Sequence, residues 1–249
     1  MLSDRYQQLP TNFRINENYT VILRGPLKNN HKIAHDDVVR DALLDNGKSI
    51  TDGRAVIGRI HLLLGQGGGG KSHTINVIIN MLIREHSLTK DNYSLRTTTE
   101  KAATVIIGSM LYSFREGFSL PVGRTGNGYK ELRGKILKDA QKKYKYLKLL
   151  VVDEFSILRQ RELFYLSERL KQINCDLRPF GSVTVLLVGD PDQIPPVQGY
   201  SLWFKNAKNK DNVKFHHLFL LFNTVVEIED NMRLDQNNRH TVELYKFLQ

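Results

Sequence analysis

Residues 65–72 read Gly-Gln-Gly-Gly-Gly-Gly-Lys-Ser, placed between the apolar run Leu62-Leu63-Leu64 and a helical pattern. Strand, glycine loop and helix in that order form the context in which G-x-x-x-x-G-K-[ST] closes around phosphate. Glycines let successive N–H groups turn inward, so a concave set of donors forms at a helix N-terminus, where the helix dipole also favours an anion. Gly65, Gln66, Gly67, Gly68, Gly69 and Gly70 would line this nest. Lys71 would reach the β- and γ-phosphates, and Ser72 would set its hydroxyl on Mg2+. A flexible linker would account for the glycines but not for Lys71-Ser72 or the flanking pattern. The chain is expected to bind a nucleoside triphosphate, or to descend from one that did.

With 249 residues, 41% hydrophobic and 25% charged, the chain has room for one full α/β domain and part of a second element. The single cysteine, Cys175, excludes a disulfide framework and a cysteine-rich zinc site. Met1–Tyr6 lacks the apolar core of a signal peptide and no run approaches a membrane span, so a reducing compartment, cytosol or nucleus, and no membrane partner are expected.

The formal net charge of +10 favours a polyanionic partner. It is concentrated in Arg124, Lys130, Arg133, Lys135, Lys138, Lys142, Lys143, Lys145 and Lys148, opposed in that stretch only by Glu131 and Asp139. The segment is either a solvated helix face or a phosphate-contacting surface. Basic charge of this kind supplies affinity without sequence readout.

Residues 1–55 are polar and without a clear period. From about Arg59 onward, strand-like apolar runs alternate with helical patterns. Strands are expected at Arg59–Leu64, Ser94–Thr98, Leu147–Val152, Val183–Val188 and Val225–Ile228. Helices are expected at Lys71–Glu85, Lys101–Ser113 and Gln160–Asn174, with another beginning at Thr241. A basic helix should carry Leu132, Ile136, Ala140, Tyr144 and Leu147 inward. Continuous apolar strands alternating with helices imply an α/β fold, a parallel sheet with helices on both faces, and ligands at the carboxyl ends of the strands.

Leu149-Leu150-Val151-Val152-Asp153-Glu154 is a buried strand ending in two acids. Taken alone, the pair could cap the following helix. Beside a phosphate loop, Asp153 is placed to hold Mg2+ and Glu154 to polarise an attacking water. The next strand ends Gly189-Asp190-Pro191-Asp192-Gln193-Ile194-Pro195-Pro196-Val197, a longer string than a turn requires. Trp203 and Phe204 just beyond it could stack on a base or pack in the core.

These pieces together resemble motifs I, II and III of superfamily-one DNA helicases, and within them the Pif-one-like, RecD-related group that includes Helitron-type helicases. Thr99-Glu100-Lys101-Ala102-Ala103 with Gly108–Ser113 resembles motif Ia, and Asn231-Met232-Arg233 resembles motif IV. The resemblance runs from about Arg59 to Gln249. In three places the chain departs from it: Glu100 replaces a glycine, Tyr112 a histidine and Gly69 a threonine.

The resemblance implies a RecA-like P-loop NTPase domain over 56–222 with a basic, wedge-like insertion at about 119–148. It implies a polar extension over 1–55 and the start of a truncated second RecA-like domain over 223–249. It further implies an ATP- and Mg2+-dependent motor moving 5′ to 3′ on single-stranded DNA in repair, recombination or telomere maintenance. Gln193 would sense the γ-phosphate and Arg233 would stabilise charge developing on it. Thr99, Lys101 and the lysines Lys138, Lys142, Lys143 and Lys145 would touch DNA. The alternative is a nucleotide- or DNA-binding fragment that does not unwind.

Overall fold

Each of the six residues of β1 (Ile60–Gly65) is buried, which a strand achieves only when both faces and both edges are covered. In the computed structural model of the chain, β1 lies between two parallel neighbours, β5 (Thr184–Gly189) and β6 (Thr224–Ile228), with Leu62 opposite Leu187 on one side and Val225 on the other. The structure describes residues 60–84, 86–98, 112–113, 117–120, 128–205, 210–222 and 224–228, together with Val38 and Ala42.

The remaining strands are β2 (Tyr93–Thr97), the two-residue β3 (Tyr112–Ser113) and β4 (Leu149–Asp153). They complete a six-stranded parallel sheet in the order β3-β2-β4-β5-β1-β6. Among the described residues, the α-helices with defined bounds are α1 (Lys71–Arg84), α2 (Gly134–Tyr144), α3 (Gln160–Asn174) and α4 (Lys210–Phe219). Among the described residues, no helix is long and apolar enough to cross a membrane.

Side chains alternate across a strand, and the sheet uses both sides. Ile60, Leu62, Leu64, Leu150, Val152, Val185 and Leu187 pack with Leu163, Leu166 and Leu170 of α3. Their neighbours Leu63, Leu149, Val151, Leu186 and Val188 pack with Ile75, Ile78, Ile79 and Leu82 of α1. The expected α/β arrangement, a parallel sheet with helices on both faces, is therefore present.

Three local expectations are corrected. The predicted helix Lys101–Ser113 cannot include its last two residues: Tyr112 and Ser113 pair with Arg96 and Thr97 along the edge of β2. Residues 99–111 lie outside the described ones. The boundary expected after residue 222 cuts into the sheet, because Thr224–Ile228 is its last strand and closes the open edge of β1. On α2, Tyr144 is buried and Ala140 packs against the core, but Ile136 is 62% exposed. A strict four-residue spacing drifts by about 40° per step on a helix of 3.6 residues per turn, so Ile136 has rotated about 80° away from Tyr144.

Arg169 anchors the basic segment to the domain. It is 1% exposed within α3 and donates to the carbonyls of Phe118, Ser119 and Lys130 and to the Gln172 side chain. One buried guanidinium thus holds the chain on both sides of residues 121–127 and fixes where α2 begins. Its plane also lies over the Tyr129 ring, 5.0 Å from the centroid.

Candidate nucleotide site and nucleic-acid surface

The loop after β1 is a turn before it is a ligand site. The Gly69 N–H donates to the Gln66 carbonyl at 3.0 Å, and Gly68 and Gly70 take φ of 92° and 86°. Those angles are open to glycine and costly for other residues. At Gly70 the chain enters α1: its carbonyl accepts from the Thr74 N–H at 3.0 Å and from Thr74 Oγ1 at 3.2 Å. A Cβ on Gly65 would stand 3.0 Å from the Ile228 carbonyl oxygen, a tight fit that glycine avoids where β1 ends against β6. A Cβ on Gly67 would meet nothing within 4 Å, so the loop is open on that side.

Lys71 folds back over this loop. Its Nζ donates to the Gly65 carbonyl at 2.6 Å and the Gln66 carbonyl at 3.0 Å, while Ser72 follows it in the first turn of α1. No acidic residue occupies that turn, so the partial positive charge of the helix N-terminus is unopposed there.

Asp153 ends β4, two strands away across β5. It is 7% exposed, and burial pushes its carboxyl up to about 6 despite the Glu154 N–H donated to Oδ1 at 2.9 Å. The neighbouring Glu154 charge raises it further, and the Lys71 ammonium pulls it back. Glu154 is left-handed, φ 58° and ψ 44°, although it carries a side chain. Thr98 Oγ1 donates to its carbonyl at 2.8 Å and ties it to the end of β2. Held strain of this kind concentrates at functional sites.

Gln193 sits in the loop after β5, where its N–H donates to the Asp190 carbonyl at 3.2 Å. Asp190 is buried and its carboxylate accepts from the Asp192 N–H at 3.0 Å, which shapes the turn. A Cβ on Gly189 would come within 2.8 Å of the Phe155 ring, so this glycine lets the residues after Asp153-Glu154 lie across the end of β5. The ends of β1, β4 and β5 thus bring Gly65–Ser72, Asp153, Glu154 and Gln193 to one edge. Thr99, Lys101 and Arg233 lie outside the described residues.

The donor set suits a magnesium nucleotide. The loop offers backbone N–H groups and an ammonium. Asp153 offers hard carboxylate oxygens, and burial makes its anionic form costly without a cation beside it. Lys138, Lys142, Lys143 and Lys145 are exposed on and just after α2. Burial, then the Arg96 charge, draws the Lys143 ammonium below its ordinary value. Its Nζ lies 5.2 Å from the Tyr144 ring centroid, and that of Lys145 lies 5.1 Å from Tyr146. Trp203 packs edge-on to Phe155 at 6.3 Å, and Phe204 stacks on Tyr200. Thr98 and Arg169 were not foreseen. Arg169 sits three residues after Leu166 on an apolar face, which was its one visible signal.

Removing the Asp153 charge tests the electrostatics. A carboxyl whose folded pKa stands above its unfolded value holds its proton more tightly in the fold. It adds stability as pH falls from about 6 toward about 4, and withdraws it as pH rises through that window. Asp153→Asn should raise the unfolding free energy of the nucleotide-free protein at pH 7 by on the order of 1–3 kcal/mol and flatten its dependence between about pH 4 and 6. Denaturant unfolding across that range measures both. A variant less stable than its parent at pH 7 contradicts the assignment.

Comparison with known proteins agrees with this geometry. The family model described as AAA domain matches residues 51–199. The ATP-dependent DNA helicase PIF1 of Emericella nidulans is 28% identical over 222 residues, covering 84% of this chain and 28% of that relative. The crystal structure of Pif1 helicase from Candida albicans matches with a TM-score of 0.61 and 21% identity, over 92% of this chain and 44% of that one. That of Pif1 helicase from Bacteroides in complex with ADP-AlF3 and ssDNA matches with a TM-score of 0.52 and 22% identity, over 78% and 43%. The chain spans 28% of the length of the curated relative and less than half of either structural neighbour. A chain that matches this family model over more than half of its length belongs to the AAA domain family, and the relatives and folds it is similar to are Pif1 helicases.

Proposed function

We propose that the chain binds ATP with Mg2+ and hydrolyses it to drive movement along single-stranded DNA, as a DNA helicase of the Pif1 type. The observation that carries this reading is the convergence of the Gly65–Ser72 nest, after β1, and the Asp153-Glu154 pair, at the end of β4, on one edge of the parallel sheet. In this reading Lys71 exchanges its bonds with the Gly65 and Gln66 carbonyls for the β- and γ-phosphates. Ser72 and Asp153 hold Mg2+, which supplies Lewis-acid charge when bound. Glu154 orients a water and accepts its proton, Gln193 touches the γ-phosphate from the next strand end, and Arg233 adds positive charge there.

Single-stranded DNA is the proposed partner, met by Thr99, Lys101 and the lysines of α2. The proposed ATPase unit runs from about residue 56 through β6, with residues 1–55 as an extension and the segment after β6 leading to a second unit. An intracellular site of action, the nucleus in a eukaryote, follows from a DNA substrate. Supporting the reading are the names of the relatives, the donor set of the nest, and the net positive charge.

Two variants separate binding from chemistry. Lys71→Ala should weaken ATP binding roughly tenfold to a hundredfold, since it removes a charged hydrogen-bond donor from the phosphates. Glu154→Gln should keep ATP affinity and lower turnover by about 100-fold or more. Nucleotide titration and steady-state phosphate release measure the two. Loss of binding in Glu154→Gln, or unchanged turnover, sinks the assignment of the base.

The α2 surface has its own signature. Neutralising Lys138, Lys142, Lys143 and Lys145 together should weaken single-stranded DNA binding. The slope of log K against log salt should fall by roughly 0.7 for every DNA phosphate that the variant no longer neutralises. Anisotropy titrations at several salt concentrations give that slope, and an unchanged slope returns these lysines to a solvated face.

A further inference from the structure

The ladder between β2 and β4 ends where Thr97 stands opposite Asp153. One residue further along, the two chains are joined in another way. Glu154 turns left-handed, and the Thr98 Oγ1 hydroxyl donates to its carbonyl at 2.8 Å. A side-chain hydroxyl thus takes over where the regular strand pairing stops.

The chain around Glu154 is fixed on both sides. Its own N–H donates to Asp153 Oδ1 at 2.9 Å. Its carbonyl also accepts from the Ile157 N–H at 3.4 Å, a longer bond than the one from Thr98. Phe155 follows fully buried, its ring in the space that a Cβ on Gly189 would need. Asp153 and Phe155 hold the chain before and after Glu154, while Thr98 reaches the Glu154 peptide itself from the neighbouring strand.

The Glu154 carboxylate makes no hydrogen bond among the described residues. The backbone from which it springs therefore sets its direction. At φ 58° and ψ 44° that backbone is in a region that residues with a Cβ seldom occupy, and it persists only where surrounding bonds enforce it. Releasing the carbonyl would let Glu154 relax toward an ordinary conformation and swing its Cα–Cβ bond away. A general base must stand within hydrogen-bond reach of the proton it takes, so such a swing acts directly on turnover.

We propose that Thr98 is a positioning residue for Glu154: its hydroxyl holds the left-handed turn, and with it the aim of the carboxylate at the attacking water. This rests on the reading of Glu154 as the base given above. Thr98 is half-buried and belongs to neither hydrophobic cluster, so deleting the hydroxyl leaves the packing of both layers in place.

The test is a double-mutant cycle on ATP turnover, with ATP affinity as the check on the nest. Thr98→Val keeps the branched shape of the side chain and removes the hydroxyl. It should lower kcat about tenfold to a hundredfold, as a small displacement of a reacting group does, with ATP affinity unchanged. Thr98→Ala should behave alike, and Thr98→Ser, which keeps the hydroxyl, should restore turnover. In a Glu154→Gln background, Thr98→Val should cost nothing further, because residues that act as a unit are not additive. Unchanged kcat in both hydroxyl-free variants, or the full loss repeated in the Glu154→Gln background, overturns the positioning role and leaves Glu154 as the base. ATP affinity that falls as far as kcat in both variants assigns the hydroxyl to the fold alone and also overturns it. If Glu154→Gln turns over as fast as wild type, the base reading itself falls, and the role of Thr98 with it.

Discussion

The position of β1 governs the molecule. A strand with every residue buried and a parallel partner on each side has no freedom in register, because a one-residue slip would turn Leu62 and Leu64 out of the α3 layer and Leu63 out of the α1 layer. Its carboxyl end is therefore a fixed point. Gly65 is pinned against Ile228, and the chain must turn at once from strand to helix within five residues. The phosphate nest is the shape that turn takes. Asp153 and Asp190 reach the same edge because β4 and β5 run parallel to β1 in matched register. Site geometry here follows directly from sheet geometry.

At that edge the protein keeps a buried carboxyl and a left-handed backbone residue that do not stabilise it. Asp153 is buried with its carboxyl raised to about 6, Glu154 adopts a backbone conformation that disfavours side chains, and the Lys71 ammonium turns to carbonyl oxygens. The buried Asp153 carboxylate is the clearest cost to the fold, and a cation beside it would relieve that cost. The α3 face differs in kind: Arg169 is satisfied by three carbonyls and a side-chain amide, and serves as a fastening.

Much of this was legible in the sequence, and the exceptions have physical causes. Apolar runs marked the buried parallel strands to within a residue or two, and α3 was bounded at Gln160 and Asn174 as found. Gly-x-x-x-x-Gly-Lys-Ser and Asp153-Glu154 announced themselves because few other folds need those residues in that order. The short edge strand Tyr112–Ser113 could not be read, since two residues carry no period and their conformation is set by the β2 edge. The role of β6 was misjudged for a similar reason: its alternation is compatible with any sheet, and only the open edge of β1 assigns it. Arg169 stayed hidden because its partners are backbone carbonyls some 39 to 51 residues earlier, which no local pattern encodes.

The central claim is that the glycine nest and the acid pair form one hydrolytic site answering to a DNA strand. The most direct measurement is ATP turnover by the purified chain, with and without single-stranded DNA, in the presence of Mg2+. Turnover should be measurable, abolished by chelating Mg2+, and raised several-fold by the strand. ATP that binds but turns over at a rate indifferent to DNA, or turnover that survives chelation, would contradict it.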